Sequence, residues 1–296
     1  MWAAKGVRYG CWCAVLLLIC CAALAQAPGA QVATDIKPAT ATARLAELIA
    51  LSKATSVEPA TGFSDWSDLL SRSLELAKQA STYCSVKLVK DLRDGGLKDK
   101  DYVAMRWRVD FVKPDRYHVT QTVWDAGQSL RDHWVSVGKE NYQDIGLWMR
   151  TKDLYKEGTN QFISLSSTLK LLDTLRSVKP TNIGVYGHLH KQYLLLEYDN
   201  PASREGPLKM CALLSDGNCR IHVWISLDTA LFAKAQVIVQ GTSTEGKPLD
   251  LEVHQAFSCY NEKISVDPPP WLNIVLDANG KGKIVNEKRV VLLHYE

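Results

Sequence analysis

Between Tyr102 and Trp124 apolar and polar residues alternate on either side of a short break. Val103, Met105, Trp107, Val109 and Phe111 fall on one side of an extended chain, and Tyr102, Ala104, Arg106, Arg108 and Asp110 on the other. Side chains alternate across a strand with a period of two, so the run predicts a β-strand with an apolar face and a charged face. Lys113-Pro114-Asp115 interrupts it with turn chemistry, and Arg116 to Trp124 resumes it. The pair predicts an antiparallel hairpin that is packed on one side and wet on the other.

Helical spacing frames the strands. Leu45, Leu48 and Ile49 predict a helix over Ala41–Ser52. Trp66, Leu69, Leu70, Leu74 and Ala77 form a stripe at i, i+3, i+4 and i+8, with Ser64 or Asp65 as its N-cap. Ser164 to Val178 returns to the same period. Short alternating segments from Tyr83 to Tyr155 are separated by Asp94-Gly95-Gly96, Lys113-Pro114-Asp115, Ala126-Gly127 and Gly138-Lys139. Strand patterns recur at Tyr186–Tyr198, Arg220–Leu227, Ala233–Gly241 and Leu249–Cys259. Asp267 to Pro270 should end the main sheet, because proline cannot donate to a ladder. A last pair of strands, Leu272–Leu276 and Lys283–His294, is expected around Ala278-Asn279-Gly280. No repeat at a fixed period is evident.

The first residues have the form of an export signal. Lys5 and Arg8 start it, Ala14 to Ala25 is apolar, and Ala23-Leu24-Ala25 is a small-x-small cleavage site. Twelve apolar residues are too few for a membrane-spanning helix, which needs about twenty. Leu18-Ile19-Cys20-Cys21 loosely matches a lipobox, so a lipid anchor through Cys21 is the alternative. Cleavage removes Lys5, Arg8 and no acid, which lowers the formal net charge from +3 to +1. No block of like charges remains, so neither nucleic acid nor an anionic surface is indicated as a partner. Gln26 to Thr40, rich in Ala, Pro and Thr, reads as a flexible lead-in.

Of eight cysteines, four lie in the leader and four, Cys84, Cys211, Cys219 and Cys259, lie beyond it. An even number in an exported chain favours disulfides, and three connectivities are open. Leu214-Ser215-Asp216-Gly217-Asn218 reads as a turn, so Cys211 and Cys219 can face each other across a hairpin. That leaves Cys84 with Cys259, a closure that stabilises by ~4–5 kcal/mol in the chain-entropy model. Zinc is the rival, but the mature chain has no Cys-x-x-Cys pair.

Several motifs tempt and fail. Gly241-Thr-Ser-Thr-Glu-Gly246-Lys247 nearly spells a phosphate loop, yet Pro248 replaces the Ser or Thr that should hold magnesium and a strand follows. It reads as a hairpin turn. Asp277 to Lys288 imitates a calcium loop, with Lys281 and Lys288 where anionic ligands belong. His188 and His190, with His222 or His254, could ligate a metal, but Tyr186 and Gln192 on the same strand face favour a solvated surface. No nucleophile elbow, zinc-protease helix or dinucleotide fingerprint is present. The sequence therefore proposes no catalytic residue, no cofactor and no metal.

Aromatics are the remaining signal. Trp107, Phe111, Trp124, Trp134, Trp148, Tyr193 and Trp224 lie in strand-like segments, where they can line a core or a ligand cavity. The order of several short motifs resembles the LolA/LolB-like family of periplasmic lipoprotein carriers. These motifs are Val109-Asp-Phe-Val-Lys-Pro114-Asp-Arg116-Tyr117, Trp134-Val-Ser-Val-Gly-Lys-Glu-Asn-Tyr142, Val223-Trp-Ile-Ser-Leu-Asp228-Thr, Ala235-Gln-Val-Ile-Val-Gln-Gly241 and the run Phe257 to Pro269. Arg93-Asp94-Gly95 is similar to a turn of an uncharacterised bacterial family with the same fold. The resemblance spans Leu69 to Pro270. The four later cysteines and the tail after Pro270 depart from the true carriers.

The resemblance implies an α+β fold, an unclosed antiparallel half-barrel with N-terminal and inserted helices packed on its concave face. The corresponding layout is a signal peptide at 1–25, a lead-in with a short helix at 26–64, the half-barrel at 65–270 and a hairpin extension at 271–296. The function implied is non-enzymatic binding of a lipid or other hydrophobic ligand in the cell envelope by a monomer. The ligand-facing set is Met105, Trp107, Val109, Phe111, Trp134, Trp148 and Tyr193. An envelope sensor that receives a protein segment in the same cavity is the alternative.

Overall fold

The computed structural model describes residues 38–51, 57–59, 65–91, 105–125, 128–144, 147–151, 165–188, 190–199, 214–269, 274–276 and 282–284. The leader with its four cysteines, Cys211, the turns at 93–96 and 278–280, and the calcium-like loop from 277 to 281 lie outside them.

Alternation and turn chemistry translate into a run of strands. These are β1 (Val57–Pro59), β2 (Thr82–Asp91), β3 (Met105–Val112), β4 (Arg116–Asp125), β5 (Gln128–Val137), β6 (Glu140–Asp144) and β7 (Trp148–Thr151). There follow β8 (Asn182–His188), β9 (Lys191–Asp199), β10 (Leu214–Ser226), β11 (Phe232–Ser243), β12 (Pro248–Ser258), β13 (Ile274–Leu276) and β14 (Gly282–Ile284). All fourteen belong to one sheet in the order β1-β8-β9-β10-β11-β12-β2-β3-β4-β5-β6-β7-β13-β14. Every pairing is antiparallel except β7 with β13. The outermost strands, β1 and β14, do not pair with each other, so the sheet is an open half-barrel. With its helices it is an α+β fold, as the resemblance implies.

Three helices pack on this sheet among the described residues: α1 (Pro38–Ala50), α2 (Trp66–Gln79) and α3 (Leu165–Leu175). Leu70, Ser73, Leu74 and Ala77 are the buried stripe of α2, the face its i, i+3, i+4 spacing announces. Asp65 takes the N-cap position and its carbonyl accepts from the Leu69 N–H at 3.1 Å. The Leu165 N–H that opens α3 donates instead to the buried Tyr83 hydroxyl at 3.3 Å, an uncommon cap that ties the inserted helix to β2.

The two faces of the sheet carry separate cores. Leu70, Leu74, Leu172 and Leu175 from α2 and α3 meet Tyr83, Trp107, Val109, Phe111, Val223 and Phe257 on the inner face. Here the rings of Tyr83 and Phe111, and of Phe111 and Tyr117, stand 4.9 Å apart. Ala41, Leu45 and Leu48 of α1 pack on the opposite, outer face against Cys84, Tyr193, Leu195, Trp224 and Ala256. A third cluster, Val135, Tyr142, Trp148 and Val266, closes the outer face further along, where the segment after β12 crosses it.

Four local expectations change. Leu214 to Asn218 is not a turn: it is the start of β10, paired with β11 through Ser243 to Gln240. Gly217 has φ +128° and Gly241 φ +148°, and a Cβ on either would stand 2.1 Å from a carbonyl oxygen of the other strand. The glycines allow two backbones to approach closely. Tyr186–Tyr198 is two strands, because His190 adopts φ +63° in the turn between β8 and β9. The outer face of β3 is not simply wet, since Arg108 reaches Thr42 of α1 and Asp110 stands beside the buried Cys84. Pro38 to Thr40, read as lead-in, already belongs to that helix.

Candidate functional site

The β3–β4 hairpin has the predicted phase. Trp107, Val109 and Phe111 are buried on the inner face with Met105 packed beside them, and Val109 stands opposite Val119. Trp134 joins them from β5. Five of the seven ligand-facing candidates therefore share one surface. Trp148 and Tyr193 do not. Trp148 lies in the outer cluster with Val135 and Tyr142, and Tyr193 faces α1. The reason is that β9 is buried on both sides, so Tyr193-Leu-Leu-Leu196 carries no alternation from which a face can be read.

The inner face also carries polar residues on β2 and β12. Lys87 of β2 is buried, pairs with Gln255 on one side and Trp107 on the other, and its Nζ lies 5.9 Å from the Trp107 ring centre. From above, the Thr168 hydroxyl of α3 donates to Gln255 Oε1 at 3.0 Å. Two residues along β2, Ser85 is fully buried, and among the described residues neither its hydroxyl nor Gln255 Nε2 has a hydrogen-bond partner. None of these residues was singled out by the sequence. The available signal was a polar residue on the apolar side of an alternating strand.

The cysteine expectations need correction. Cys84 and Cys259 are buried free thiols, not a disulfide. They are hydrogen-bonded neighbours beneath α1, where Cys259, in a left-handed backbone conformation, also contacts the Ser258 hydroxyl at 3.2 Å. Cys219 is disulfide-bonded. Cys211, its expected partner, lies outside the described residues.

Thiol, carboxylate and imidazole thus gather on the outer face. Asp110 stands opposite both Cys84 and His118, and His118 Nδ1 is 3.6 Å from Asp110 Oδ2. Burial works against the Asp110 carboxylate, but the hydrogen bond from His118 and the charge of Arg108 hold it below its ordinary pKa. The hydrogen bond with Cys259, then burial, push the Cys84 thiol up, and the same bond draws Cys259 down. A thiol nucleophile needs an imidazole beside it to take its proton. Here the group beside Cys84 is an ionised carboxylate, and the cluster is roofed by α1.

The histidines suggested for metal binding separate. His188 ends β8, His190 sits in the following turn, and His222 and His254 lie on β10 and β12 with Gln236 between them. His254 Nε2 is 2.9 Å from Glu252 Oε1. This contact takes the Glu252 carboxylate down to about 2, while burial lowers His254. Among the described residues, no group of three or more His, Cys, Asp and Glu could hold a metal ion. The phosphate-loop mimic is the β11–β12 turn, where Gly246 has φ +75°.

The fold defines an open, helix-covered antiparallel half-barrel. No protein-family model and no curated protein matches this sequence. Among solved structures the chain is similar to the lipoprotein LppX of Mycobacterium tuberculosis, at 15% identity over 68% of this chain and 97% of that one, with a TM-score of 0.42. It is similar also to LprF of Mycobacterium bovis, at 12% identity over 72% of this chain and 99% of that one, with a TM-score of 0.43. Both likenesses are distant.

Proposed function

We propose that this protein is exported to the cell envelope and binds a lipid or other hydrophobic ligand, without catalysis, between the inner face of its half-barrel and helices α2 and α3. The observation that carries the reading is the inner face itself. Met105, Trp107, Val109, Phe111 and Trp134 form one aromatic and aliphatic cluster with the buried faces of two helices that pack on each other. Such a layer accepts an alkyl chain if the helices move apart by a small rigid-body displacement, because the sheet beneath is held by its own ladders. The charged leader and small-x-small cleavage site support export. Among the described residues the groups beside Cys84 are Cys259 and the Asp110 carboxylate, under the roof of α1.

Titration with a fluorescent fatty acid tests the proposal. Saturable binding at micromolar concentration, displaced by an unlabelled alkyl chain, is the expected result. A linear, non-displaceable signal would sink it.

A further inference from the structure

We infer that Cys84 and Cys259 are the reduced form of a disulfide-exchange site under α1, in which Cys259 attacks a small-molecule disulfide and Cys84 resolves the product. The site lies on the outer face and is independent of ligand binding on the inner one.

Alternation alone would part the two thiols. Ser258 stands directly opposite Cys84 and shares its outer face, so the next residue should turn inward. Cys259 instead has φ +59°, and its side chain packs in the outer cluster with Cys84. A left-handed backbone is uncommon for a residue other than glycine, and here it is what brings the sulfurs together. An offset of one residue across the ladder sets the Cα atoms about 6 Å apart by strand geometry, within the span of a disulfide.

The surroundings make the two thiols unequal. Arg44 lies beside Cys259, and the Ser258 hydroxyl contacts Cys259 Sγ at 3.2 Å. The hydrogen bond from Cys84 draws Cys259 down to about 7 against its burial, and Ser258 and Arg44 act in the same sense. The same hydrogen bond, then burial and the charge of Asp110, push Cys84 up. One sulfur is thus disposed to attack and the other to stay protonated until it is needed. Disulfide exchange asks only for a thiolate and an approach, with no imidazole. The approach lies at the partly exposed Arg44–Glu262 pair, at the edge of a cluster roofed by α1, so the co-reactant is a small disulfide.

In the first step the Cys259 thiolate displaces one thiolate from the disulfide and forms a mixed disulfide. In the second, Cys84 attacks the Cys259 sulfur and releases the other half, which leaves with the Cys84 proton. Two electrons pass from the protein sulfurs to the disulfide, which becomes two thiols.

The test incubates the full chain, folded and at neutral pH, with oxidised glutathione, quenches by alkylation and maps the peptides by mass spectrometry. The wild type should yield a Cys84–Cys259 cross-link about 2 Da below the dithiol form. Cys84→Ala should stop at glutathione on Cys259, whereas Cys259→Ala should take glutathione on Cys84 at least about tenfold more slowly. The inference is overturned if both wild-type thiols persist under conditions that oxidise the urea-unfolded chain, or if either cross-links to a different cysteine instead. Equal rates in the two variants overturn the assignment of Cys259 as the attacking sulfur. If a variant does not fold, the wild-type time course decides: glutathione on Cys259 before the cross-link supports the inference, and glutathione on Cys84 overturns it.

Discussion

Lys234 Nζ donates to the carbonyl oxygen of Ile49 at 2.8 Å, so a fully buried lysine from the middle of the sheet closes the C-terminal end of α1. Its ammonium also stands 4.9 Å from the Trp224 ring centre. A cation at this end of a helix meets the last carbonyls and the negative end of the helix dipole.

The position predicts a pH dependence. Burial lowers Lys234 to about 7, with Glu252 opposing the shift, whereas an unfolded lysine keeps its ordinary value of 10.5. Between these values the unfolded chain holds a proton that the folded chain has released. The contribution of Lys234 to stability therefore rises with pH from about 7 to 10.5 and is level below that window. Relative to Lys234→Met, the wild type should gain on the order of 2–3 kcal/mol between pH 6.5 and pH 9.5. Urea unfolding of both proteins at the two pH values measures it. Parallel pH profiles would show that the lysine does not titrate in the fold.

Arg44 holds α1 at a second point. Its Nη1 reaches both carboxylate oxygens of Glu262, at 2.6 and 2.9 Å, and Arg108 reaches Thr42 on the same helix. The pair is about a third exposed, so its worth is on the order of 0.5–1 kcal/mol. Its mechanical effect is larger than that figure suggests, because α1 roofs Cys84 and Cys259. Arg44→Ala should leave the melting temperature nearly unchanged and speed modification of both thiols by a soluble maleimide several-fold. Peptide mapping by mass spectrometry reads the two sites separately.

How far these features could be read from the chain depends on register. The phase of β3 was legible, because Arg106, Arg108 and Asp110 alternate cleanly with Trp107, Val109 and Phe111. The stripe Leu45, Leu48 declared that the first helix has a buried face. It did not declare which surface receives that face, since the contacts with Trp224 and Ala256 join residues far apart in sequence. That single fact also hid Tyr193, whose strand is apolar on both sides because α1 covers the second one. Lys87 and Gln255 stand in different strands and become neighbours only when β2 and β12 are laid side by side.

Asp216-Gly217-Asn218 shows the same limit from the other direction, and carries a prediction. Locally it has turn chemistry, and only the pairing of Gly217 with Gly241 shows why glycine is needed. Gly217→Ala would drive a methyl group to 2.1 Å from the Gln240 carbonyl oxygen, against backbone that cannot yield cheaply. Gly246→Ala meets nothing within 4 Å and carries only the cost of φ +75°. The first should cost upward of about 3 kcal/mol and the second about 1 kcal/mol. Thermal unfolding of the two variants separates strain by collision from strain by dihedral angle alone.

Phe257 and Ser258 offer a test of the two-faced sheet at consecutive positions. Phe257 is buried on the inner face, with ring centres 5.7 Å from Tyr83 and 5.5 Å from Phe232, under α2 and α3. Ser258 points to the outer face and contacts Cys259. Phe257→Ala removes a ring from the centre of the larger core and should destabilise by about 3–5 kcal/mol. Ser258→Ala deletes one hydroxyl and should cost about 1 kcal/mol or less. The binding assays divide in the same way: Phe257→Leu, which keeps much of the volume and the fold, should weaken binding of an alkyl probe, and Ser258→Ala should not. Weakened binding in Ser258→Ala with Phe257→Leu unaffected would place the ligand under α1 on the opposite face.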